Sequence, residues 1–262
     1  MSRDNETLLN QAIEVAEGIE AILGARHRFA PLQLVAFGSL VRSRRLSQAI
    51  ARIPEDLAYE ALVLVRCLVE TQVNLSWIRL EPRTRAERFL KFEPLERLEL
   101  IKEMPESIPE GDARAAVGHL EAGRNATKSL FGKVSNRGEL RWAKHWASVP
   151  SLRDRLAEIM AAEGCNRVPF TYVVYRWGSS VVHGGPVSFA DVIKTDRGHA
   201  GAVPQPLTNA SSVFAGAALC LLKTASDAAA LGDVPESQRA GIAGMIAEFN
   251  RRVGSQVQSQ SP

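Results

Sequence analysis

A chain of 262 residues with 45% apolar content can bury a sizeable core, and its length permits one large domain or two small ones. Its formal net charge of +3 is nearly balanced, which excludes nucleic-acid binding through bulk charge, so any such contact must come from a local patch. Cys67, Cys165 and Cys220 are far apart and odd in number, which argues for a reducing compartment, and no metal-ligand spacing is present.

Apolar residues recur at spacings of three and four almost throughout, whereas period-two alternation is scarce. The pattern predicts an all-α, single-domain, multi-helix bundle of about eight or nine helices. The opening stretch, MSRDNETLLNQ, is polar and lacks a hydrophobic signal core, so a cytoplasmic location is expected. In chain order the pattern predicts helices over 5–24, 31–52, 55–80, 83–103, 110–131, 151–163, 169–183, 208–231 and 235–252. Pro31, Pro54, Pro82, Pro109, Pro169 and Pro235 stand at predicted starts, where a missing N–H costs little. Ser151 ahead of Asp154 reads as a capping-box variant. Residues 1–53 are expected to form a helical hairpin packed on a 54–253 core, which makes one domain over 1–253. The polar tail 254–262 is expected to be disordered. The run Val213–Leu231 approaches membrane length, but it contains Lys223 and Asp227 and favours alanine over leucine. It reads as a core helix, with no membrane association.

Two segments break the helical pattern. Residues 132–150 read as irregular, and 184–207 as a long loop rich in glycine and proline, a type of connection that is often functional.

Within 55–80, Arg66, Glu70 and Asn74 recur every fourth residue and fall within an arc of about 80°, opposite Leu64, Leu68 and Leu75. Val65, Val69 and Val73 border this stripe. The expected setting is therefore largely desolvated, where an unpaired charge costs several kcal/mol. The order Arg then Glu opposes the helix dipole, so surface decoration explains it least well. A buried structural network and an active site remain.

A second constellation lies in TYVVYRWGSSVVHGGP, from Thr171 to Pro186. Tyr172, Arg176, Ser179 and His183 project from one side of a helix, and Gly184, Gly185 and Pro186 stop it directly after His183. A helix C-terminus favours the imidazolium and a nearby arginine disfavours it. A histidine titrating near neutrality beside an arginine is what phosphodiester cleavage without a metal requires. The plainer alternative is a capping histidine, with Arg176 on a solvent-facing carboxylate.

The segment R-WGSSVV-H, with six residues between Arg176 and His183, resembles the motif of HEPN domains. These are all-helical bundles in which such a pair marks a metal-independent RNase site. The segments RCLVETQVN, RFLKFEPLERL, the tryptophan-rich stretch at 142–146, SLRDRLAEI and YRWGSSVVHGG together also resemble an uncharacterised bacterial family of helical domains without assigned function. The HEPN resemblance implies a HEPN-like core, no cofactor and a homodimer. It also implies RNA as substrate, with an antitoxin or other protein partner in a toxin–antitoxin or phage-defence system. Residue by residue, it implies His183 as general acid or base and Arg176 as a bidentate phosphate contact. Arg66 would then supply a second phosphate contact, Glu70 would orient Arg66 or His183, and Asn74 or Ser179 would donate hydrogen bonds. Tyr172 would complete the binding surface. This requires helices 55–80 and 169–183 to face each other, with His183 within about 4–6 Å of Arg66 or Glu70.

RNA would also need an approach surface. Between Arg124 and His145, six Lys or Arg residues stand against Glu139 alone, interleaved with Phe131 and Trp142. That composition suits a phosphate track with base stacking, although a solvated loop with Trp142 and Trp146 in the core fits equally well. The cluster RSRRL at 42–46 reads as a helix surface. The alternatives to a ribonuclease are a non-catalytic binding or sensor module holding an anionic ligand or a protein partner, and a purely structural polar network.

Overall fold

Small side chains let helices approach closely, and the alanine-rich run at 210–231 uses this property. The protein's structure, a computed structural model, describes residues 2–25, 28–103, 110–165, 170–183, 193–196, 199–202 and 210–259. Contacts divide the chain into two compact units, Met1–Leu80 with Leu156–Pro262, and Glu81–Arg155. No linker or change of composition marks either crossing point, which is why the sequence reads as one domain.

The first unit holds α1 (Ser2–Gly24), α2 (Pro31–Ala51), α3 (Leu62–Leu80), α9 (Phe170–Val182), α10 (Ala210–Leu231) and α11 (Glu236–Ser259). Helix α10 packs against α1, α2, α3 and α11. It is long and apolar enough to cross a membrane by length and composition, yet 78% of its most apolar window is buried inside the protein. Leu9, Leu23, Leu40, Ile50, Leu68, Trp77 and Leu221 are almost wholly inaccessible. Each such burial contributes roughly 1.5–3 kcal/mol. Arg44 on α2 bonds both carboxylate oxygens of Glu20 on α1, at 2.5 and 3.1 Å, while Arg42 and Arg45 are exposed. The basic cluster at 42–46 is thus a helix surface with one interhelical tie.

The second unit holds α4 (Pro82–Lys91), α5 (Glu93–Glu103), α6 (Glu110–Ala126) and the single turn α7 (Lys128–Phe131). Strands β1 (Gly132–Val134) and β2 (Leu140–Trp142) pair antiparallel, Gly132 opposite Trp142. Gly138, at φ 79°, occupies the left-handed region in the turn between them. Phe92 meets Phe131 edge-on at 5.1 Å, and Phe89 meets Trp146 at 4.9 Å. Arg88 donates from Nε to the Trp146 carbonyl and from Nη1 to the Leu130 carbonyl, and its guanidinium lies 4.5 Å from the centre of the Phe131 ring. One side chain therefore ties α4 both to the turn α7 and to the loop backbone at Trp146.

Helix α8 (Leu152–Ala162) begins as expected, with the Asp154 N–H donating to Ser151 Oγ at 3.0 Å. Other boundaries differ from the sequence pattern. The predicted helix 55–80 is a 3-10 turn at Glu55–Leu57 followed by α3 from Leu62, because Ala58, Tyr59 and Ala61 are drawn into the core. The predicted helix 83–103 breaks at Phe92, which is buried. The predicted helix 110–131 breaks at Thr127, whose hydroxyl donates to the Arg124 carbonyl and competes with the backbone ladder. Inside 184–207, β3 (Ile193–Asp196) and β4 (His199–Ala202) pair antiparallel, so that segment carries structure of its own. These strands of three and four residues are too short for alternation to register. The chain remains all-α in architecture.

Candidate functional site

A glycine in the middle of a helix lets another backbone approach, and Gly178 does so in the first unit. Its Cα lies against α3 so closely that a Cβ built there would stand 2.5 Å from the Leu62 carbonyl oxygen and 2.9 Å from Arg66 Cβ. Helices α3 and α9 therefore face each other, as a site shared between them requires.

The polar stripe runs along the edge of that contact. Arg66 Nε lies 3.3 Å from Glu70 Oε1, with side chains 20% and 41% exposed. The desolvated setting expected from the bordering valines is not what forms, because the arc of the stripe opens partly to solvent. The Arg66 guanidinium also lies 5.5 Å from the centre of the Tyr175 ring, a cation–π geometry. Tyr175 in turn stacks on Tyr172 at 6.1 Å. Asn74 Oδ1 is buried without a hydrogen-bond partner. Tyr175 is the site residue that the one-sided reading of α9 missed, since it lies off the face defined by Tyr172, Arg176, Ser179 and His183.

The same contacts set the direction of α9. Arg66 reaches along α3 toward Glu70, and Tyr175 meets its guanidinium there. Gly178, three residues later, sits back against Leu62. Moving forward along α9 is thus moving backward along α3. At 1.5 Å per residue, His183 lies about 7 Å beyond Gly178, away from Glu70 and Asn74. Its backbone N–H donates to the Ser179 carbonyl at 3.2 Å. Among the described residues, no hydrogen bond or ion pair joins His183 to Arg66 or Glu70. Arg176 and His183 are both exposed, with Ser179 half-buried between them. The structure thus brings Arg66, Glu70, Tyr172 and Tyr175 together at one level, and sets Arg176 and His183 on the outward side of α9.

A separate polar cluster lies deeper in the same unit. Gln72 Nε2 donates to Ser76 Oγ at 2.8 Å, and Ser76 Oγ donates to Asp227 Oδ2. Arg79 Nε lies 2.8 Å from Asp227 Oδ1, and its Nη2 lies 2.7 Å from Glu163 Oε1. Burial, above all, pushes the Asp227 carboxyl above the usual carboxylate range, against the Ser76 hydrogen bond and the Arg79 charge. Burial likewise pushes the Cys220 thiol up to about 12, so it is inert near neutrality. In the sequence Asp227 stood out only as a charge interrupting an apolar run; its partners on α3 are Ser76 and Arg79, and with Gln72, bonded to Ser76, they make a second polar line beside the first. Among the described residues, no three His, Cys, Asp or Glu side chains gather closely enough to hold a metal ion.

A family model described as a family of unknown function, DUF5677, matches residues 33–200. The match covers α2 through α9, and so includes both helices of the site and all of the second unit. No curated protein and no solved structure matches the chain. With well over half of its length matched, the chain belongs to DUF5677, an uncharacterised family.

Proposed function

We propose that this protein is a HEPN-like, metal-independent ribonuclease. The observation that carries the reading is the placement of Arg176 and His183. Seven residues at 100° each bring both to within about 20° of one face. Both are exposed, while the opposite side of their helix is pinned to α3 at Gly178. A guanidinium and an imidazole free on one surface suit a phosphate and the proton beside it.

In this reading His183 takes the proton of a ribose 2′-hydroxyl. The 2′-oxygen attacks the adjacent phosphorus, the bond to the 5′-oxygen breaks, and that oxygen leaves with a proton. The products are a 2′,3′-cyclic phosphate and a 5′-hydroxyl. Arg176 holds the phosphate and balances the charge of the phosphorane. Arg66, already shared between Glu70 and Tyr175, is a second and weaker phosphate contact. A homodimer and a role in a toxin–antitoxin or phage-defence system belong to the same reading. Incubation with total RNA in EDTA tests it: cleavage is expected from the wild type and is lost in Arg176→Ala and His183→Ala. Intact RNA at high concentration of folded wild-type protein would sink the idea.

A further inference from the structure

The second unit holds a cavity of about 840 Å³, toward the upper end of the range for small-molecule sites. Buried Phe92, Leu95 and Leu98 form an apolar floor, and half-buried Trp142 forms one side. The Arg124 guanidinium lies 5.3 Å from the centre of a Trp142 ring, so the indole is held in place as an aromatic wall.

The charges are sorted by wall. Glu96, Glu99 and Glu103 line the side formed by α5, and Arg124, Arg141 and Lys144 line the other. The two walls are in electrostatic reach, because Lys144 and Arg124 help Lys102, the main cause, to lower the Glu99 carboxyl. Internal pairing leaves much of this charge unused. Arg141 lies 3.6 Å from Glu139, and both are well exposed, a pair of little strength. Among the described residues, Lys144 has no carboxylate and Glu96 no cation within ion-pair distance. Partial burial, and then Glu93, push the Glu96 carboxyl up.

We propose that this cavity binds a guanine nucleotide, its base against Trp142, its edge on Glu96 and its phosphates on Arg141 and Lys144. An ionised carboxylate only accepts hydrogen bonds, and it has two oxygens to accept with. Guanine alone among the common bases offers two adjacent donors, N1–H and the N2 amino group. Adenine and cytosine place an acceptor nitrogen beside their amino groups, and uracil flanks its one N–H with two carbonyls. Phosphate oxygens pair with Arg and Lys through charge-assisted bonds. This site lies wholly within the Glu81–Arg155 unit and does not depend on the ribonuclease reading.

Calorimetric titration of the full chain with GDP, ADP and inorganic phosphate tests it. GDP is expected to bind at least tenfold more tightly than ADP and to quench tryptophan fluorescence. Glu96→Gln should erase the preference for GDP, and the double change Arg141→Ala with Lys144→Ala should weaken GDP at least tenfold. All three side chains are exposed, so thermal melts should show the variants folded. Failure of millimolar GDP to bind, equal binding of GDP and ADP, or unchanged preference in Glu96→Gln overturns the proposal. Phosphate binding as tightly as GDP does the same.

Discussion

Gly178 lies against the Leu62 carbonyl so closely that a methyl group on it would stand 2.5 Å from the oxygen. Backbone cannot give way there as a flexible side chain could. Gly178→Ala should therefore push α9 off α3 and destabilise the protein by about 1–3 kcal/mol. Gly216 on α10 provides the contrast, since a Cβ there would meet Val174 at 3.5 Å and Val65 at 3.8 Å, ordinary contact distances. Gly216→Ala should leave stability unchanged or raise it by about 0.5–1 kcal/mol through helix propensity. Urea unfolding of both variants checks the pair.

Glu70 pairs with Arg66 at 3.3 Å while 41% of its own side chain is exposed. Such pairs four residues apart contribute roughly 0.3–0.5 kcal/mol, and Tyr175 still covers Arg66 when the carboxylate is gone. Glu70→Ala should cost under about 1 kcal/mol in denaturation. A loss of about 3–5 kcal/mol would instead mark a buried network that orders the bundle.

Burial holds the Asp227 carboxyl above the usual range. The unfolded chain therefore releases this proton at lower pH than the folded one, and the stability linked to it is full only below about pH 4. It is lost as pH rises through the raised folded value. Asp227→Asn keeps an acceptor for Ser76 and has nothing to ionise. Measured from pH 4 to pH 7, the variant should gain stability relative to the wild type and then level off. A difference that stays flat across that range contradicts the burial argument.

In the Glu81–Arg155 unit, His145 stacks on Trp146 at 5.8 Å and accepts the Ala147 N–H on Nδ1 at 3.0 Å. Its Nε2 lies 3.2 Å from Arg155 Nη1. Burial and then the Arg155 charge hold the imidazole below its usual value. Its contribution to stability is present above about pH 6.5 and lost as pH falls through the lowered folded value. A proton NMR titration should find His145 charging below the usual histidine range, and a His145 that charges within that range would contradict the burial argument.

Much of the fold was legible, and the physical reason is periodicity. Spacings of three and four located α1, α2, α8, α9 and α10 closely, and Ser151 marked a start that its hydroxyl does cap. The alanine-rich run at 210–231 read as a core helix because Lys223 and Asp227 interrupt it and alanine outnumbers leucine, and it is buried. What failed was whatever depends on a distant partner. Nothing local tells that Ser76 meets Asp227, 151 residues away. The stripe of Arg66, Glu70 and Asn74 was visible as a stripe, but its exposure depends on how α9 lies across α3. That placement is decided by Gly178, and a lone glycine in a helix does not announce what it faces. Tyr175 was missed for the same reason.

The central claim is that Arg176 and His183 cut RNA without a metal, and the ends of the fragments test it most directly. RNA treated with the wild-type protein in EDTA should yield fragments ending in 2′,3′-cyclic phosphate and 5′-hydroxyl, and His183→Ala should yield none. Fragments ending in 3′-hydroxyl, or undiminished cleavage by folded His183→Ala, would contradict the account.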